Sequence, residues 1–145
     1  MKKILLAVLI TLSLVGISNA QTWTTANEAT VSWDAVTKLL DGSTIPTTDK
    51  IAYNIFIRNK KTGTVTSVGN TPNLQQTIVF NTEGRYFPGV SAVRQVVGED
   101  GVTIEETMES EISWSDNPAA CLNGQTFGIR YFVHPNQPVN LRKAQ

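Results

Sequence analysis

Tyr86-Phe87-Pro88-Gly89-Val90-Ser91-Ala92-Val93 decides the fold of this chain. In an extended strand, Tyr86, Pro88, Val90 and Ala92 fall on one face and Phe87, Gly89, Ser91 and Val93 on the other. A phenol at the mouth of such a strand can bury its ring and send its hydroxyl back to the preceding backbone. The stretch therefore predicts a central strand of a β-sandwich, entered through an anchored tyrosine.

On either side the chain continues in short β-rich runs separated by turn residues, with no sustained helical stripe. Ala29 to Trp33 places Val31 and Trp33 on one face, and Ile51 to Arg58 keeps Ile51, Tyr53, Ile55 and Ile57 in phase. Thr64 to Val68 is mostly polar and suits an edge. Gln76 to Phe80 is the next strand, and the Tyr86 strand extends to Val97. Gly98-Glu99-Asp100-Gly101 makes a hairpin turn, since Asp-Gly supplies the positive φ that such turns need. Val102 to Ile104 returns. Ser110 to Ser115 reads as a final core strand, with Ile112 and Trp114 both facing inward. The expectation is an all-β sandwich of about seven strands.

In this order the residues resemble a fibronectin type III domain, a member of the immunoglobulin-like sandwich superfamily. Trp33 falls at the family's second-strand tryptophan, Tyr53 at its third-strand tyrosine, and Phe80 at the usual leucine six residues before Tyr86. Tyr86, Val90 and Ala92 match the family's "Y-x-V-x-V-x-A" strand with Pro88 replacing the first valine, and Glu109 to Ser113 matches the approach to its last strand. The resemblance covers Thr24 to Asp116. It implies a core of Trp33, Tyr53, Phe80, Tyr86, Val90, Ala92 and Ile112. Two features depart from it. Pro88 has no N–H, so it should sit at the start or an unpaired position of its strand, and little chain precedes Trp33 to form a first strand.

Lys2 and Lys3 precede an apolar run from Ile4 to Ile17, and Ser18-Asn19-Ala20 supplies small residues for cleavage. This reads as a secretory leader, residues 1–20, giving a secreted or periplasmic chain from Gln21 with no membrane span after processing. The run is shorter than the roughly 20 residues of a membrane helix; a retained anchor is the alternative. Loss of Lys2 and Lys3 leaves the 12 acids in slight excess over the bases. Such a chain offers no broad attraction for nucleic acid. Cys121 is the only cysteine, so no intrachain disulfide can form. It reads as a half-buried loop residue, with an intermolecular disulfide as the alternative.

Catalytic, cofactor and metal sites are not expected. His134, the sole histidine, has no orienting partner at a recognisable spacing, and one Cys with one His gives no metal-ligand pattern. Glu99, Asp100, Glu105, Glu106, Glu109 and Glu111 gather in the last hairpin but lack a calcium-loop pattern, and read as a solvated edge. Trp23, Trp114, Phe127, Tyr131 and Phe132 are candidates for a sugar-stacking platform, although Trp23 is expected to cover the open end of the sandwich. The candidate binding loops are Asp41-Gly42-Ser43 and Glu99-Asp100.

The resemblance implies a non-enzymatic module that presents loops and edge strands to a protein or glycan at a cell or virion surface, for adhesion or surface assembly. Two alternatives are a strand-exchanging structural subunit and a carbohydrate-binding accessory domain of a secreted hydrolase. The domain is expected over residues 21–116, with an extension at 117–145. Thr126 to Val133 alternates like a strand, and Pro135 to Arg142 is similar to the stretch that opens a fibronectin type III domain. The extension therefore either returns to its own domain, links copies into a homo-oligomer, or is a tail or linker.

Overall fold

Nine strands account for the extended structure of Gln21 to Asn136, the residues described by the computed structural model. The expected leader and everything after Asn136 lie outside them. The strands are β1 (Thr22–Thr25), β2 (Glu28–Ser32), β3 (Lys50–Asn59), β4 (Val65–Thr71), β5 (Gln75–Val79), β6 (Gly84–Val97), β7 (Ile104–Glu109), β8 (Ser113–Trp114) and β9 (Phe127–Tyr131). The large sheet runs β1-β9-β6-β3-β4, with β7 and β8 also paired to β6. The second sheet is β2 and β5 alone. No helix among the described residues is long and apolar enough to cross a membrane.

Alternation on β3 and β6 builds the inner face. Tyr53 pairs with Ala92, Ile55 with Val90 and Ile57 with Pro88. Ile55, Tyr86 and Ile129 of the large sheet then close against Val31, Ile78 and Phe80 from the facing layer. Tyr86 lies at the entry to β6 with its ring 5.1 Å from that of Phe80, and its hydroxyl donates to the Thr82 carbonyl at 2.7 Å. Tyr53 is 4% exposed, and Trp33 packs against both it and the core. Val90 and Ala92 are half-buried beneath the partly open layer above.

Pro88 lies well inside β6, and its surroundings explain why that is tolerated. It stands opposite Ser115, whose N–H donates to the Pro88 carbonyl at 2.9 Å. The return bond of an antiparallel pair cannot form, because proline has no N–H. The last strand breaks at this point. From Asp116 the chain leaves the sheet through two 3-10 turns, the first opened by the Asn117 cap and Pro118, and it rejoins the sheet at Phe127 as β9. Of the expected last strand, Ser110 to Ser115, only Ser113–Trp114 pairs, as β8; the return after Gly101 is β7, placed further along at Ile104–Glu109, and β1 and β9 make the rise from about seven strands to nine.

Of the readings of the extension, return to its own domain is the one seen: β9 pairs with β6 and β1, and Ile129 is 4% exposed in the core, which carries the domain past Asp116. Three expectations are corrected. A first strand exists, but it pairs parallel with β9 in the large sheet and does not run beside β2. Ile112 and Trp114 do not face the core; Trp114 is opposite Gly89 on the outer face, where a Cβ on Gly89 would fall 2.5 Å from the indole and 2.7 Å from Ile112. Trp23 does not cap the sandwich end. It lies flat over Gly128 on the same outer face, its ring 5.4 Å from that of Phe87.

Candidate functional site

The two expected loops are locked by their own side chains. The Asp41 carboxylate accepts from the N–H and the hydroxyl of Ser43, at 2.9 and 2.6 Å, and Gly42 between them has φ 85°. These bonds hold the Asp41 carboxyl below its ordinary value, the hydroxyl bond contributing most. Asp100 accepts from the N–H groups of Val102 and Thr103 at 2.9 and 2.8 Å, and also from the Thr103 hydroxyl. Its carboxyl is lowered to about 2, chiefly by that hydroxyl. Glu99 beside it is exposed. Both carboxylates are thus turn caps: Asp41 spends one oxygen on its own turn, and Asp100 spends both. Among the described residues no group of three or more His, Cys, Asp or Glu side chains could hold a metal ion.

Glu109 of the acidic hairpin is also engaged. It accepts from the Ser91 hydroxyl and, at 2.9 Å, from the Asn54 amide, and both bonds lower its carboxyl. Cys121 is half-buried in the loop after β8, its thiol directed at the Ser115 carbonyl at 3.3 Å. Burial first, and Asp116 second, push the thiol up, away from the thiolate needed for nucleophilic attack. His134 is exposed.

With no first strand beside it among the described residues, β2 has a free edge. Trp33 N–H donates to Leu74 O at 3.0 Å and Phe80 N–H to Asn27 O at 2.8 Å. The hydrogen-bonded partners of β5 are therefore the odd-numbered residues of β2. Register then turns the backbone N–H and C=O of Glu28, Thr30 and Ser32 away from β5. No strand among the described residues takes them, because β1 has gone to the other sheet. Beside this edge lies a groove of about 550 Å³. Its floor is the inner-face surface of Val90, Ala92 and Ser113; its walls are Ser32 to Asp34 and Ala119 to Leu122. A smaller depression of about 260 Å³ shares Trp33, Val90 and Cys121 with it. Trp33 Nε1 is buried here without a hydrogen-bond partner.

The outer face of the large sheet is a second cluster of aromatic rings and cations. The Arg58 guanidinium lies 4.5 Å from the Trp114 ring and is paired with Asp116 at 2.6 Å. Lys60 Nζ and Arg85 Cζ lie 5.1 and 5.7 Å from the Trp23 ring. Of the remaining platform candidates, Phe127 and Tyr131 pack against the core, while Phe132 is exposed. The alternation that found the inner face could not find this one, because nothing in a single strand says that its second face is also covered.

No protein-family model, no curated protein and no solved structure matches this chain.

Proposed function

We propose that the chain is a secreted, non-enzymatic binding module of fibronectin type III character that takes an extended segment of a partner protein along β2. The observation that carries this reading is the unpaired edge at Glu28, Thr30 and Ser32, which runs at Ser32 into a groove floored by Val90, Ala92 and Ser113. Edge addition supplies main-chain hydrogen bonds for affinity and side-chain pockets for selectivity. The type III assignment is supported by the tyrosine at the entry to β6 bonding back to Thr82, and by the Trp33–Tyr53 pair in the facing layers.

A second reading, strand exchange between copies, is favoured by where β9 and the residues just after it run. Val133 N–H donates to Glu83 at 2.6 Å, beyond the end of β5 and therefore at the end of the sandwich where β2 starts.

Thr30→Pro tests both, since it removes an outward-facing donor while leaving the β5 ladder bonds in place. Residues 21–145 are compared with this variant by sedimentation and by capture from extracellular protein mixtures, alongside a chain ending at Asn136. Loss of a partner in Thr30→Pro alone supports peptide addition. Loss of self-association in both variants supports exchange. Unchanged behaviour in both variants would exclude the β2 edge.

A further inference from the structure

We propose that the outer face of the large sheet binds an anionic saccharide through a row of three cations, Lys60, Arg85 and Arg130. Arg85 is directly opposite Arg130 across β6 and β9. Lys60 N–H donates to the Arg85 carbonyl at 2.8 Å, which continues the β3–β6 register by one pair and sets Lys60 on the other side of Arg85. Like charges directly opposite on neighbouring strands are destabilising, and here three follow one another. One row further along, Arg58 is neutralised by Asp116. Among the described residues, no carboxylate comes within ion-pair distance of Lys60, Arg85 or Arg130. An arriving anion would relieve a repulsion that the fold leaves in place.

The surroundings favour a sugar. Strands stand about 4.8 Å apart, so the row spans about 10 Å, comparable with two linked hexose rings. Next to it is a hollow of about 660 Å³ bordered by Lys60, Lys61, Arg85 and Phe132. Phe132 is 48% exposed and offers a flat apolar face to a ring. Glu83 also borders the hollow, with one carboxylate oxygen accepting from Val133 N–H. The guanidinium of Arg85 presents a planar fork that suits carboxylate or sulfate. A long nucleic acid is disfavoured by the acidic excess elsewhere on the chain. The inference rests on the module reading only for an extracellular location; it does not involve the β2 edge.

The test titrates residues 21–145 with hexagalacturonate, with a sulfated chondroitin hexasaccharide and with neutral maltohexaose, following tryptophan emission, to which Trp23 under the row contributes. Saturable binding of either anionic sugar is expected, with none for maltohexaose. Lys60→Glu and Arg85→Glu should each weaken it by about tenfold or more, as expected when a charge-assisted contact is reversed. Their melting temperatures verify folding, with Lys60→Ala and Arg85→Ala as milder replacements. Thr30→Pro should bind sugar normally, so failure of the β2 reading and of this one are separable. Absence of binding by both anionic sugars, indifference to charge reversal, or equal binding of polyglutamate or single-stranded DNA would overturn the proposal.

Discussion

Phe127 N–H donates to the Ser115 carbonyl at 2.9 Å, occupying the acceptor that Pro88, directly across the sheet, has no N–H to reach. The Ser115 hydroxyl returns a bond to the Phe127 carbonyl at 2.8 Å. A missing donor on one strand is thereby matched to a break in its neighbour. Pro88→Ala should introduce a buried N–H that competes for an acceptor already in use. The expected cost is about 1–3 kcal/mol, the penalty of an unsatisfied buried donor, measured as a lower urea midpoint with an unchanged slope.

Tyr86→Phe removes only the hydroxyl that bonds to Thr82, so it should cost about 1–2 kcal/mol. Tyr86→Ala also removes a core ring packed on Phe80, and should cost about 3–5 kcal/mol. Denaturant titration of the two variants separates the contributions. Equal stability of both with the native chain would sink the account of the β6 entry.

Gly89 and Gly128 are defined by what lies above them. A Cβ on Gly128 would meet the Trp23 ring at 2.6 Å, and one on Gly89 the Trp114 ring at 2.5 Å. Alanine at either position must lift an indole off the sheet, at about 1–3 kcal/mol of overpacking strain. The expected signature is a red shift in tryptophan emission together with a lower melting temperature.

Asp100 gives the chain a local acid transition. Its carboxyl titrates at about 2 in the folded hairpin, against about 3.9 for an unperturbed aspartate. Because the folded value is depressed, the turn's contribution is complete above about pH 4 and is lost as pH falls through about 2. The amide resonances of Val102 and Thr103 should move with that low midpoint. Asp100→Ala should abolish the transition while leaving the core strands unchanged.

Cys121 should react slowly with a disulfide reagent at neutral pH, more slowly than a small free thiol, because its raised pKa leaves little thiolate. Urea should restore the ordinary rate. Rapid labelling of the folded chain would contradict its placement against Ser115.

The inner face was legible because its residues repeat at period two against a sequence background that otherwise lacks a pattern. Ile51, Tyr53, Ile55 and Ile57 could be read without knowing their partners. Ile112 and Trp114 show the limit of that reading. Their alternation is real, but which of two parities points inward depends on pairing with Gly89, and pairing is not a local property. The same holds for β1, where four residues have a β pattern compatible with either sheet and the seat for Trp23 over Gly128 decides. The cation row was illegible for a related reason. Lys60, Arg85 and Arg130 are scattered along the chain, and only the register of three strands lines them up.

The excursion between Ser115 and Phe127 separates length from architecture. Its two ends are fastened to each other, so what lies between them carries little of the ladder's continuity. A foreign peptide grafted between Pro118 and Asn123 would be displayed from a fixed base, with the sandwich serving as its handle.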